Sequence, residues 1–179
     1  MSLEHLWAGW RSEYVTSVGT ADRAVAGGTG PAPVDDPEDC VFCRIAASGP
    51  PSPDNGVVWI GDTTFVVLNA YPYASGHLMV LPLRHVGTLA DLSDAEGPEM
   101  WAALRASVSA LEEALGPDGM NLGANLGRAA GAGIPRHVHL HAVPRWHGDT
   151  NFMTAVAGTR VLPETLAVTW ERLRRAWSS

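Results

Sequence analysis

The sequence lacks the features that mark secreted, membrane-spanning and nucleic-acid-binding proteins. Its 179 residues include only two cysteines, too few for a disulfide framework, which favours a reducing compartment. No apolar run approaches the roughly 20 residues that cross a bilayer, and the N-terminus lacks the basic head and continuous apolar stretch of a secretory signal. The net charge of -7 argues against non-specific binding to nucleic acid or to membrane surfaces. We therefore expect a cytoplasmic protein.

The composition changes along the chain and predicts where its domain begins. Residues 1–18 carry tryptophans and other apolar residues at helical spacing. Residues 19–39 are rich in Gly, Ala, Pro and acidic residues, a composition typical of a flexible linker. We predict an N-terminal segment and linker over residues 1–39 and one domain over residues 40–179, long enough for a sizeable core.

Strand patterns outnumber helix patterns within this domain. Strand-like runs occupy residues 57–60, 65–70, 77–81 and 119–127. A capping box from Ser93 to Glu96 opens one long helix, which ends at Gly116 and Pro117, and a C-terminal helix begins near Pro163. The order predicts an α+β fold, a mostly antiparallel sheet with one long helix packed on it and a C-terminal helix.

The most informative stretch is GAGIPRHVHLHAVPRWH, which contains four of the seven histidines. His137, His139 and His141 alternate with apolar residues at a period of two, which predicts a strand with three imidazoles on one face. The outer two would start about 13 Å apart, a spread that suits a row of phosphates better than a single metal ion. A solvated strand face and a His-x-His metal site remain alternatives.

The run HVHLHAV resembles the signature of the histidine triad family of nucleotide hydrolases and nucleotidyl transferases. The longer run NLGRAAGAGIPRHVHLHAVPRWHGDTNFM is similar to the branch with bacterial diadenosine polyphosphate phosphorylases and hydrolases. The resemblance implies a homodimeric enzyme in which His139 attacks the α-phosphorus of a nucleotide and forms a nucleotidyl-histidine. His141 and His77 would donate to the phosphate oxygens. A nucleoside phosphoramidase and a non-catalytic nucleotide-binding regulatory protein remain alternatives.

The resemblance also implies a set of substrate-binding residues. Asn69 matches a residue that contacts the ribose, and Asn125 matches one that hydrogen-bonds the phosphate region. The loop before the triad carries Gly131, Ala132 and Gly133 where many relatives have a Gln or Ser side chain, so the backbone would hold the phosphates here. A tight hairpin loop without a phosphate-binding role is the alternative for this loop. Apart from the resemblance, Trp146 lies just past the predicted strand, where it is a candidate to cover a bound base or a second phosphate acceptor, with a core position as the alternative.

The two cysteines form Cys40-Val-Phe-Cys43, a spacing that lets both thiolates reach one tetrahedral zinc ion. An unmetallated thiol pair is the alternative. In zinc-bearing relatives the two remaining ligands match His85 and His137. If His137 binds zinc, it cannot freely protonate the leaving group, so its catalytic and metal roles compete.

Overall fold

The computed structural model describes residues 37–149 and 162–177. The predicted N-terminal segment and most of the predicted linker lie outside these residues, and the last three linker residues, Pro37–Asp39, form a 3-10 turn. Three α-helices follow in the described ranges: α1 (Val41–Ala46), α2 (Glu96–Leu115) and α3 (Leu166–Trp177). None of the helices in these ranges is both long and apolar enough to cross a membrane.

A five-stranded, fully antiparallel sheet forms the centre of the fold. Its strands are β1 (Val57–Ile60), β2 (Thr64–Leu68), β3 (Leu78–Pro82), β4 (Gly119–Gly123) and β5 (Leu140–Arg145). Their order across the sheet is β1-β2-β3-β5-β4, so β5 lies between β3 and the edge strand β4. The predicted α+β class and antiparallel sheet are confirmed.

The triad lies across the beginning of β5 instead of within a strand. The ladder begins at Leu140, so His141 is on the strand while His137 and His139 precede it. Their segment is held by a different contact, because the Val138 amide donates to the Val86 carbonyl at 2.7 Å. The predicted strand over all three histidines is therefore correct only for its C-terminal part.

The long helix α2 begins and ends where its sequence signals indicate. The Ser93 amide donates to Glu96 Oε2 at 2.7 Å and the Glu96 amide to Ser93 Oγ at 3.3 Å, which completes the predicted capping box. At the other end Gly116 adopts φ 58°, a conformation that glycine allows without strain. The helix buries one stripe of side chains against the sheet: Met100, Ala103, Leu104, Ser107, Ala110 and Leu111.

The two faces of the sheet pack against different partners. Because side chains alternate along a strand, Val66 and Val80 face α2 and α3, whereas Val67 and Met79 face α1. Met79 lies opposite His141 in the register of β3 and β5, which places His141 on the α1 face. The face covered by α1 is therefore the face that carries the triad.

The C-terminal helix α3 closes the β1 edge of the sheet. The Trp170 indole Nε1 donates to the Val57 carbonyl and Arg174 Nη1 donates to the Val58 carbonyl, both at 2.7 Å. The Trp59 and Trp177 rings pack beside them with centroids 6.0 Å apart. Carbonyls that would otherwise face outward from an edge strand are thus bonded to helix side chains.

Candidate active site and metal centre

Two cysteines and two histidines converge where α1 meets the triad segment. The ligand atoms of Cys40, Cys43, His85 and His137 all lie within 4.8 Å of one another. Cys40 Sγ is 3.4 Å and Cys43 Sγ 3.6 Å from His137 Nδ1, and Cys43 Sγ is 3.3 Å from His85 Nδ1. Tetrahedral zinc with ordinary bond lengths would hold sulfur and nitrogen about 3.6 Å apart. The four side chains therefore fit a Cys2His2 zinc site.

The Cys43 thiol of this cluster is held in its protonated form when no metal competes. Burial, and then the hydrogen bond with Cys40, raises the pKa of Cys43 to about 11. A metal ion would displace that proton, because the thiolate is the ligand. Metal affinity at this site is thus coupled to proton release.

The His137 ring belongs to this cluster and not to a phosphate-binding row. Its Nε2–H donates to the Pro82 carbonyl at 2.9 Å, which leaves the Nδ1 lone pair directed at the sulfurs. Burial lowers the pKa of His137 to about 4, so the ring is neutral, as a metal ligand must be. Both ring nitrogens of His137 are thus engaged, and its predicted catalytic role stays a prediction.

The central histidine has the arrangement that a nucleophile needs. His139 Nδ1–H donates to the backbone carbonyl of His137 at 2.8 Å, so its Nε2 carries the lone pair. Burial lowers the pKa of His139 below its ordinary value. The Phe42 ring, centred 5.1 Å from the His139 ring and 5.6 Å from the His137 ring, packs against both. A backbone carbonyl therefore fixes the orientation of the His139 ring.

The last triad histidine pairs with a histidine from the neighbouring strand. His141 Nδ1 lies 2.9 Å from His77 Nε2, and the His139 and His141 rings pack edge to face with centroids 4.9 Å apart. Burial, and then the neighbouring His139, lowers the pKa of His141 to about 4. His77 is 0% exposed. The His77 ring is thus buried against His141, and its predicted catalytic role stays a prediction.

The turn between β2 and β3 supports His77 from its other side. Asn69 Nδ2 and the Tyr73 amide approach His77 Nδ1 at 3.3 and 3.1 Å, while Asn69 Oδ1 accepts from the Tyr71 amide. The Tyr73 ring packs on His77 with centroids 4.7 Å apart. Both functional groups of the Asn69 side chain thus have internal partners, and its predicted contact with ribose stays a prediction.

The glycine- and alanine-rich loop before the triad turns back on itself. The amides of Ala130, Gly131 and Ala132 donate to carbonyls of Gly127 and Arg128 at 2.8 to 3.2 Å. Ala132 is buried, and Gly131 adopts φ 87°. The amides of Gly131 and Ala132 thus have internal partners, and the expected backbone phosphate cradle stays a prediction. Gly133, which is exposed, and Asn125, which is half-buried, keep their predicted roles as predictions.

The far end of β5 holds a separate polar cluster. Arg145 Nη2 donates to Asp149 Oδ1 at 2.8 Å, and the Trp146 amide donates to Asp149 Oδ2. Arg145 is four residues beyond His141 along the strand, a separation of about 13 Å. Trp146 is half-buried in this cluster, and its predicted contact with a base stays a prediction.

Three contributors to the site carry no signal of their own in the sequence pattern. Phe42 reads as the spacer of the cysteine pair, Pro82 as a strand end and Tyr73 as a turn residue. Phe42 and Tyr73 are aromatic residues within three or four positions of a predicted site residue, and that proximity is the one clue available. The role of Pro82 depends on its backbone carbonyl, which no side-chain pattern reveals.

Known proteins share both the sequence and the fold of this chain. Residues 53–148 match the HIT domain family. An AP-4-A phosphorylase of Mycobacterium tuberculosis is 43% identical over 122 residues, which are 68% of this chain and 63% of that relative. This chain therefore spans less than two thirds of that relative's length. A bis(5'-adenosyl)-triphosphatase of Dictyostelium discoideum is 32% identical over 84 residues, 47% of this chain and 56% of the relative.

A solved structure agrees with the described fold. The Zn-bound histidine triad family protein of Mycobacterium smegmatis superposes with a TM-score of 0.64 at 29% identity, covering 80% of this chain and 96% of that chain. The match to the family model extends over more than half of the present sequence. The antiparallel sheet and the paired histidines agree with this match, and the chain belongs to the HIT domain family.

Proposed function

We propose that this protein is a nucleotidyl-transferring enzyme that cleaves a dinucleoside polyphosphate of the diadenosine tetraphosphate type at its α-phosphorus. One observation carries the proposal: the His139 Nδ1–H is held by the His137 carbonyl, so a neutral Nε2 lone pair is available. Anionic oxygens around phosphorus repel anionic nucleophiles, and a neutral imidazole avoids that repulsion. Burial, which lowers the pKa of His139, keeps the ring in this form at neutral pH.

The reaction proceeds in two displacements at the same phosphorus. In the first, the Nε2 lone pair of His139 forms a bond to the α-phosphorus while the bond to the bridging oxygen breaks, and the leaving polyphosphate takes that electron pair. In the second, an oxygen of water or of inorganic phosphate bonds to the phosphorus and the His139 nitrogen leaves with its electrons. Water would release its proton to solvent. His141 donates to a non-bridging oxygen in both displacements.

Two relatives support this substrate class. The chain is 43% identical to an AP-4-A phosphorylase and 32% identical to a bis(5'-adenosyl)-triphosphatase over the matched residues. Both names describe cleavage of an adenosine polyphosphate. Of the two, the phosphorylase shares more identity over a longer stretch, so phosphate is the favoured acceptor in the second displacement.

We propose that the Cys2His2 cluster holds a structural zinc ion. The support is the fit of its ligand spacing and the orientation of His137 by the Pro82 carbonyl. Zinc bound there would brace α1 against the triad segment. His139 and His141 supply the chemistry, while Cys40, Cys43, His85 and His137 hold the metal.

We also propose that two copies of the chain pair through the outer edge of β4. Leu122 on this strand is 48% exposed, and Trp101 on the neighbouring face of α2 is 60% exposed. Joining two β4 edges about a two-fold axis would bury both patches and complete the open ladder. Sedimentation should therefore give a dimer, and Leu122→Asp should give a monomer with unchanged helix content. A wild-type monomer at micromolar concentration would contradict the pairing.

A product assay tests the enzymatic proposal directly. The full chain is incubated with diadenosine tetraphosphate with and without inorganic phosphate, and nucleotides are separated over time. ADP plus ATP formed only with phosphate identifies a phosphorylase, and AMP plus ATP formed in water identifies a hydrolase. Cleavage of adenosine phosphoramidate alone would instead favour a phosphoramidase. Tight nucleotide binding without turnover of any of these compounds would contradict the proposal and favour a regulatory protein.

A further inference from the structure

We propose that the turn from Asn69 to Tyr73 makes His141 an N–H donor to the reacting phosphate by fixing the tautomer of His77. Asn69, Tyr73 and His77 are then positioning residues that act through His141. The inference rests on the proposed function for its chemical meaning, but the tautomer itself can be measured without any substrate.

The first step concerns His77 and its neighbours in the turn. A backbone amide can only donate, and the Tyr73 amide is directed at His77 Nδ1 at 3.1 Å. The Asn69 side-chain nitrogen approaches the same atom at 3.3 Å and also carries only hydrogens. His77 Nδ1 must therefore be the acceptor. In a neutral ring the hydrogen then lies on Nε2.

The second step transfers this constraint to His141. His77 Nε2 is 2.9 Å from His141 Nδ1, and since His77 brings the hydrogen, His141 Nδ1 must accept it. The hydrogen of His141 is then on its own Nε2. The backbone amide thus sets the direction of the hydrogen bonds through both imidazoles. Neither ring can take the opposite tautomer without leaving that amide without an acceptor.

The last atom in this series of hydrogen bonds, His141 Nε2, indicates a bound ligand. His141 Nε2 is buried and has no hydrogen-bond partner among the residues that the structure describes. A buried N–H without a partner is unfavourable in a folded protein. The adjacent His139 presents a lone pair in the same region, because its hydrogen is on Nδ1. A phosphoryl group would take a bond from one ring and a hydrogen bond from the other.

The opposite tautomers of the two rings explain why the turn matters for chemistry. Free imidazole places its hydrogen on either nitrogen, so an unconstrained His141 would present a lone pair to the phosphate oxygens for part of the time. Lone pairs on both rings would repel the oxygens that the site has to hold. The turn removes that state, and the donor is in place before charge develops.

The decisive measurement is a ¹⁵N spectrum of the histidine rings in the full chain, which separates protonated from unprotonated ring nitrogens. Signals are assigned by replacing single histidines. We expect hydrogen on Nε2 for His141 and on Nδ1 for His139. A His141 with hydrogen on Nδ1 in the wild-type protein would overturn the inference, whether or not the protein cleaves diadenosine tetraphosphate.

Two variants test the relay through His77. In His77→Gln the amide nitrogen can still donate to His141 Nδ1, whereas His77→Leu removes the donor and keeps an apolar volume. We expect kcat to fall about tenfold in the first and on the order of 10²-fold in the second, with KM changed less than about threefold. His147→Gln, which alters an exposed histidine paired with Asp118, should behave as wild type.

The ring spectrum decides between a positioning role and a merely structural one. His77→Leu should leave His141 exchanging between both tautomers, while His77→Gln should retain hydrogen on Nε2. If His77→Leu does not fold, the His77→Gln spectrum still tests the relay, because loss of the Nε2 hydrogen there would contradict it. An unchanged His141 tautomer and unchanged kcat in folded His77→Leu would also overturn the inference.

Discussion

The two ends of the triad segment contain the same kind of side chain and use it differently. At one end His137 directs Nδ1 at two cysteine sulfurs and gives its other nitrogen to the Pro82 carbonyl. At the other end His139 and His141 keep Nε2 toward the proposed reaction centre. The difference comes from the partner of the second nitrogen in each ring. Identical residues at a spacing of two therefore differ in which ring nitrogen is engaged, and this difference suits the proposed ligand, nucleophile and donor roles.

The largest effect should come from removing the nucleophile. His139→Gly should lower kcat for diadenosine tetraphosphate by at least about 10³-fold, because the covalent route is lost. Nucleotide binding and metal content should remain, since the Cys2His2 cluster does not use this ring. Calorimetric titration and metal analysis provide those two controls. Residual activity within tenfold of wild type would contradict the assignment of His139.

Changes in the Cys2His2 cluster should first lower the stability of the protein. Cys43→Ser should reduce zinc from about one equivalent to less than half, and it should lower the melting temperature by about 5–10 °C, the effect of losing a tightly bound ligand. Treating the wild-type chain with a chelator should give the same shift. Arg44→Ala, a neighbouring change outside the cluster, serves as the control. A wild-type protein purified without chelator that holds no zinc would contradict the metal assignment.

The unfolding free energy should fall in acid over a defined pH range because of His141. The folded-state pKa of His141 is lowered to about 4, while the unfolded chain keeps its ordinary value of 6.5. The unfolded state therefore binds a proton first, and stability is fully present above pH 6.5 and is lost as the pH falls toward 4. At pH 5 this single group should cost about 2 kcal/mol of unfolding free energy. Denaturant titrations at pH 7.5 and 5 measure the loss, and His141→Asn should reduce it.

The smallest effect is expected at the C-terminal end of β5. Arg145 is paired with Asp149. It lies about 13 Å along the strand from His141 and therefore away from the proposed reaction centre. Arg145→Ala should change kcat/KM by less than about twofold and unfolding free energy by less than about 1 kcal/mol, as for other exposed ion pairs. A tenfold rise in KM for diadenosine tetraphosphate would show instead that this arginine reaches the polyphosphate.

Local signals were sufficient for most of the fold. The run at 57–60 coincides with β1, the Ser93 to Glu96 box forms its two reciprocal hydrogen bonds, and Gly116 ends α2. Each of these depends on residues within one turn or one strand. The start of β5 was misplaced because pairing with β3 begins only at Leu140, a property of the neighbouring strand.

The candidate site was predictable in membership and less so in roles. Spacing and family resemblance brought Cys40, Cys43, His85 and His137 together correctly. The sequence patterns did not predict the direction of each hydrogen bond. That direction depends on the Pro82 carbonyl and the Tyr73 amide, which are backbone groups of other strands and turns. The inward-facing amides of the loop before the triad were missed for the same reason.

The hydrogen bonds from α3 to β1 restrict the addition of further strands at that edge of the sheet. Trp170 and Arg174 bond two carbonyls of that strand, whereas among the described strands none lies beside β4 on its outer side. Strand addition is therefore expected first beside β4, the edge through which we propose that two copies pair. We expect α3 to hinder strand addition at β1, because its side chains already hold these two carbonyls.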